Sequence, residues 1–404
     1  MPNILRALRH RNYRLYFLGQ MVSLAGTWMQ QIAMSWLTYR LTDSTFMLGL
    51  VSFAGQIPIL AVAPVGGVLS DRLDKRVMML WTQSLALVQA VALTALTLAG
   101  AVQPWHLIIM SLTLGLINAI DVPTRQSFVV DLVDSRDDLP NAIALNSFTL
   151  NSARFLGPSI GGIVVGLAGE GICFAINALS YLAVIVALGA MRTCHVAGTH
   201  RPAAEAMRLG FSYAAGFPKI RQLLVVVAFV SFFGTPYVVL LPYFAREVYA
   251  GGAQTFGFMS AAAGVGALLG TLYLASRQTV SGLDSVIGWA ILSVSAALAT
   301  FALSNSLALA MPSLAILGFS IICTVASSNM LIQSLVGDDM RGRVMALFTM
   351  AFLGISPLGS LLGGWIAHRV GPRDTLLGCA FVMFLVGVVF FRTWSSTIDP
   401  TDQR

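Results

Sequence analysis

Charge is scarce in this chain. Only 10% of its 404 residues are charged, against about 25% in an ordinary soluble domain. Hydrophobic residues make up 57%, and the mean hydropathy is +0.80. That balance excludes an aqueous globular domain. Lysine is almost missing: Lys75 and Lys219 are two of 24 basic residues. The net charge of +7 comes from arginines dispersed over short loops, with no concentrated stripe, so it does not indicate a nucleic-acid partner. The four cysteines, Cys173, Cys194, Cys323 and Cys379, lie far apart and offer neither a disulfide framework nor ligand spacing. Cys194 and His195 with His200 come nearest to a metal cluster, but a loop thiol near two histidines is far more often incidental, and no metal is expected. There is no G-x-x-x-x-G-K-[ST] loop and no H-E-x-x-H, and no serine, histidine and acid set shares one face. ATP-driven pumping, intramembrane hydrolysis and a bound cofactor are therefore set aside.

What the chain has is length of apolar sequence. Segments long enough to cross a bilayer recur twelve times, over 13–41, 45–69, 77–100, 105–122, 141–168, 172–191, 223–244, 257–276, 285–304, 307–335, 344–367 and 375–393. If the N-terminus is inside, 19 basic residues fall in inner segments and 4 in outer ones, leaving Arg154 within a span. By the positive-inside rule both termini are expected in the cytoplasm. The basic start, around Arg6, Arg9, Arg11 and Arg14, lacks a cleavage site and reads as an amphipathic surface helix.

The longest polar stretch, 192–222, divides the chain into expected six-helix bundles at 1–191 and 223–404. The halves repeat. Ala144, Leu145, Gly157, Gly161 and Gly162 recur 202 residues later as Ala346, Leu347, Gly359, Gly363 and Gly364, and Gly49 and Ser52 recur 208 later as Gly257 and Ser260. The expected fold is therefore an all-α membrane protein of 12 transmembrane helices in two pseudo-symmetric six-helix bundles.

Between the second and third spans lies a knot of charge, G-V-L-S-D-R-L-D-K-R over 67–76. Gly67 permits close helix approach, Asp71 suits the positive end of another helix, and Arg72, Lys75 and Arg76 belong at the headgroups. The stretch resembles the G-x-L-a-D-R-x-G-r-k loop of the major facilitator superfamily (MFS), with Asp74 in place of the second glycine. The resemblance implies a cytoplasmic latch, joined by Asp121 of the fourth span through Arg76 or Arg72. A helix-end acid neutralised by Arg125, one turn away, is the alternative.

In the fifth span Ser147, Asn151, Arg154, Pro158 and Gly161 share one face. A charge there is a functional hypothesis by default, against a structural salt bridge or carbonyl cap. The run G-P-S-I-G-G over 157–162 resembles the fifth-helix element of exporting MFS members, which implies roles for Gly157, Pro158, Gly161 and Gly162 in close packing and bending. The first span carries Gln20, Ser23, Thr27, Gln31, Ser35 and Thr38 along one stripe beside Trp28 and Trp36, as would line a wet cavity or glue helices together. Asn118, Asn151, Tyr237, Asn329 and Gln333 are further cavity candidates. No acid lies between Arg14 and Asp43, so a strongly cationic substrate fits poorly.

The run N-A-I-D-V-P-T-R-Q-S-F over 118–128, D-L-P-N-A-I-A-L-N over 138–146 and G-D-D-M-R-G-R-V-M over 337–345 resemble one MFS branch, containing the enterobactin exporter, macrolide efflux proteins and transmembrane secretion effectors. The resemblance spans nearly the whole chain. It implies a monomeric, multi-pass carrier of the bacterial inner membrane that exports a small amphipathic molecule, drug or siderophore-like, by alternating access on a proton or ion gradient. A lysophospholipid or lipid flippase and a non-transporting sensor are the alternatives.

Overall fold

The computed structural model describes residues 3–133, 135–191, 212–277 and 279–394, with backbone only at 3, 4, 63–72, 136, 338 and 339. Most of the expected linker, with Cys194, His195 and His200, lies outside the described residues.

The helices are α1 (Arg11–Thr42), α2 (Thr45–Arg72), α3 (Lys75–Leu98), α4 (Pro104–Asp131), α5 (Leu139–Gly189), α6 (Pro218–Phe233), α7 (Pro236–Tyr243), α8 (Ala253–Ala275), α9 (Leu283–Leu303), α10 (Leu307–Leu335), α11 (Asp338–Thr349), α12 (Ser356–Val370) and α13 (Pro372–Trp394). Among the described residues there is no strand. Ten stretches are long and apolar enough to cross a membrane. One of them, α5, has 51 residues and if straight would run about 77 Å, more than twice the hydrocarbon thickness. It breaks at Gly169, where φ is +84°, and so holds two crossings. Glycine takes this φ without the Cβ penalty that other residues meet. The glutamines of α1 keep that 32-residue helix out of the ten by composition; with it the crossings number twelve. Short π-helical turns join α7 to Phe244–Val248 and α11 to α12 through Met350–Gly354, so the seventh and eleventh crossings run as Pro218–Val248 and Met340–Val370.

Two expectations shift. The N-terminus is not an amphipathic α-helix but a 3-10 turn, Asn3–Arg9. It is held by tertiary bonds that no local pattern shows. Arg6 pairs with Asp138, His10 Nε2 lies 2.9 Å from the same carboxylate, and Ala7 N–H donates to Asn141 Oδ1 at 2.9 Å. The fourth helix, expected to stop near 122, runs through Pro123 to Asp131.

The chain folds as two compact units. Unit 1 is Met1–Asp43, Ala54–Arg201 and Gly251–Ala261; unit 2 is Ser44–Phe53, Pro202–Ala250 and Ala262–Arg404. Each takes in the end of one helix, α8 or α2, whose remainder belongs to the other. In unit 1, buried amides tie α1, α3, α4 and α5 together. Asn177 Nδ2 donates to Gln30 Oε1 (2.7 Å), Gln30 Nε2 to Gln89 Oε1 (3.1 Å), and Gln89 Nε2 to the Met110 carbonyl (3.2 Å). Such interhelical bonds contribute about 0.6 kcal/mol each in a membrane protein. At the C-terminal end of α1, Arg40 closes that helix onto the α5 bend by two bonds to Glu170, at 2.8 and 3.2 Å. Large apolar side chains such as Trp81, Leu167 and Phe381 stand more than half exposed, which is stable against lipid tails and unfavourable against water.

The repeat reappears in the packing. In unit 1, Gly157 and Gly161 seat α5 on α1: a Cβ at Gly157 would strike Trp28, and one at Gly161 would lie 2.9 Å from Met29 Cα. In unit 2, Gly359 and Gly363 seat α12 on α6 and α7, against the Phe232 carbonyl and, at 2.7 Å, Pro236. Glycine meets glycine beside each of these. In unit 1, a Cβ on Gly162 would lie 2.7 Å from Gly257 Cα, and in unit 2 one on Gly364 would lie 2.9 Å from Gly49 Cα. The residues of the second set are those of the first displaced by 202 or 208 positions. The duplication thus extends to which backbones touch.

Candidate transport site

The loop between α2 and α3 is built from its helix ends. Asp74 is the N-cap of α3: its Oδ1 accepts from Arg76 N–H (2.8 Å) and Val77 N–H (3.1 Å). That explains the departure from the family glycine, since an aspartate cap stabilises a helix start by about 1 kcal/mol. Lys75 Nζ bonds Asp131 Oδ2 at the end of α4 (2.7 Å), and Arg76 donates to the carbonyls of Leu188 and Gly189 (2.7 and 2.8 Å). A guanidinium on those last carbonyls both satisfies them and complements the negative end of the helix dipole. Asp74 thus caps α3, and Lys75 and Arg76 bind its start to the ends of α4 and α5 within unit 1. The side chains of Asp71 and Arg72 and the surroundings of Gly67 lie outside the described residues.

Asp121 is not joined to Arg76. The reason is geometric: Arg76 is spent on α5, while α4 continues past 121 and buries the acid against α3. Asp121, 3% exposed, accepts from Thr82 Oγ1 (2.7 Å) and Gln83 Nε2 (2.9 Å), and its other oxygen lies 3.9 Å from Arg125 Nε. Arg125 in turn donates to Gln20 Oε1 at 3.3 Å. Around this pair the buried Tyr16 Oη, Gln20 Nε2 and Gln83 Oε1 have no hydrogen-bond partner. The sequence expectation overlooked Thr82 and Gln83, although a Thr-Gln pair inside the charge-free run 77–101 is itself a signal.

Arg154 projects from the first arm of α5, its guanidinium 5.8 Å from the centre of the Trp28 ring. Among the described residues no carboxylate pairs with it, and its side is exposed. A cation over an aromatic face gains about 0.5–2 kcal/mol yet keeps its charge available. Of the other candidates in unit 1, Gln31 is exposed, and Ser35, Asn118 and Asn151 are half-buried. Asn151 spends its amide on the Ser147 carbonyl of its own helix, at 2.9 Å. The α1 stripe divides: Gln20, Ser23 and Thr38 are buried, Thr38 bonding the Met34 carbonyl, whereas Trp28, Gln31 and Ser35 reach the surface of the unit. In unit 2, Tyr237 is buried, and Gln333 donates to Asn329 one turn away on α10.

A helical membrane protein of twelve crossings, duplicated in its packing and carrying on a glycine-packed helix a cation with no carboxylate partner among the described residues, has the build of a solute carrier. The match over residues 3–404 to the transmembrane secretion effector model makes the chain a member of that MFS family. It is similar to the staphyloferrin A transporter of Staphylococcus aureus, 25% identical over 94% of this chain and 95% of that one. It is also similar to the multidrug efflux pump Tap of Mycolicibacterium fortuitum, 23% identical over 90% and 91%. Its fold matches the crystal structure of a bacterial homolog to the human lysosomal transporter Spinster, in an inward-facing and unoccupied conformation, with a TM-score of 0.75, 14% identity, and 96% and 97% of the two chains covered.

Proposed function

We propose that this MFS transporter is a secondary active exporter of a small amphipathic molecule carrying an anionic or strongly accepting group. It works by alternating access between a bundle at 1–191 and one at 223–404, joined by a cytoplasmic linker at 192–222. It acts as a monomer in the bacterial inner membrane, with both termini cytoplasmic, and a proton or ion gradient drives it. Arg154 carries the reading: a membrane-span cation beside Trp28, with no carboxylate partner among the described residues, is suited to meet an anion on a passing solute. The glycine-packed arm that bears it and the similarity to a multidrug efflux pump support export, and the lack of acid in α1 argues against a cationic substrate.

The test is Arg154→Ala against Arg154→Lys in energised membrane vesicles of both orientations, loaded with a fluorescent amphipathic anion. We expect outward movement by the wild type, a loss of about tenfold or more on removing a charged hydrogen-bond donor, and partial recovery with lysine. Wild-type rates in Arg154→Ala would demote Arg154 to packing.

A further inference from the structure

Within unit 2 the end of α8, the first half of α9 and the middle of α10 line an open groove of about 670 Å³. Its two ends differ in chemistry. One carries the cation, with Arg277, Ser285 and the turn at Gly282; the rest is mainly apolar, lined by Val286, Ala290, Phe319 and Cys323 with the hydroxyls of Ser293 and Ser320 among them. Trp289, 67% exposed, and Tyr273, 39% exposed, stand at its rim, and exposed aromatics with an amphipathic ring are the side chains that settle at the membrane–water boundary.

Arg277 is held in place without being neutralised. Its guanidinium donates to Tyr273 Oη at 3.0 Å and to the Ser281 carbonyl at 2.6 Å, and lies 6.0 Å from the Tyr273 ring centre. Its Nε is buried with no hydrogen-bond partner. Among the described residues no carboxylate pairs with it. A fixed cation beside a membrane-facing apolar groove is complementary to one kind of molecule, an anion with a hydrocarbon tail. The distribution of basic residues puts Arg277 on the heavily positive side of the chain, hence in the cytoplasmic leaflet, where anionic lipids concentrate.

We propose that this groove binds an anionic phospholipid of the cytoplasmic leaflet, its phosphate at Arg277 and an acyl chain along Val286, Phe319 and Cys323. The site is separate from Arg154 and does not require export. Native mass spectrometry of the full chain in detergent, titrated with phosphatidylglycerol or with phosphatidylcholine of the same chain length, reads it independently of transport. Wild-type protein should retain phosphatidylglycerol in preference. Arg277→Gln should weaken the first bound phosphatidylglycerol about fivefold, the effect of one basic residue at a membrane surface, and leave phosphatidylcholine unchanged. Ser293→Phe, which fills the groove and keeps the charge, should weaken both. Equal retention of the two lipids by the wild type would overturn the proposal. So would unchanged phosphatidylglycerol binding in Arg277→Gln or, should that variant fail to fold, in Ser293→Phe.

Discussion

Gly162→Val, and separately Gly364→Val, should yield protein that inserts normally yet transports at about a tenth of the wild-type rate or less. A Cβ on Gly162 would lie 2.7 Å from the Ala253 carbonyl oxygen and from Gly257 Cα; one on Gly364 would lie 2.6 Å from the Thr45 carbonyl oxygen and 2.9 Å from Gly49 Cα. The obstacle in each case is backbone, which no rotamer change can clear. Forcing bulk into such a contact costs about 1–3 kcal/mol, enough to shift an equilibrium between two arrangements by about tenfold or more. Under the proposed alternating access, the carrier then stalls in the arrangement where these helices are apart. The control is Gly378→Ala, since nothing lies within 4 Å of a Cβ there. Solute flux in proteoliposomes, normalised to inserted protein, separates the two. Wild-type flux in both valine variants would mean that the glycines only ease packing.

The second large effect concerns stability. Asp121→Ala leaves Arg125 in the protein interior without its carboxylate and deprives Thr82 and Gln83 of their acceptor. Removing one member of a buried pair costs about 3–5 kcal/mol, so the unfolding midpoint in detergent should fall sharply. Asp121→Ala combined with Arg125→Met removes both charges, and most of the loss should be recovered. A double variant as unstable as the single one would show that the carboxylate acts through Thr82 and Gln83 alone.

Much of the architecture was readable from hydropathy, because a bilayer imposes length and composition on every crossing. The reversal at Gly169 was legible as Gly-Glu-Gly, and the duplication as glycines at offsets of 202 and 208. What those glycines touch was not legible, since contact between distant segments leaves no local pattern. Asp74 read as a departure from a motif and proved to be a helix cap, a role visible only once the start of α3 is known. Asp121 was expected to meet either a loop arginine, Arg76 or Arg72, or Arg125 one turn away. It lies beside Arg125 and accepts from Thr82 and Gln83 of α3, while Arg76 is spent on α5 and the side chain of Arg72 is outside the described residues. Arg6 and His10 looked like surface charge, and Asp138 holds them both. Sequence patterns thus drew attention to single residues, while their partners became visible only in the packing.

The most direct test of the carrier mechanism is to tie one glycine contact shut. An ideal Cβ on Gly166 would lie 2.6 Å from Gln254 Cγ, within the reach of a disulfide. Gly166→Cys with Gln254→Cys, in a chain freed of its four native cysteines, should transport when reduced, stop when oxidised, and resume on reduction. Undiminished transport by the fully cross-linked protein would contradict alternating access through the parting of these helices.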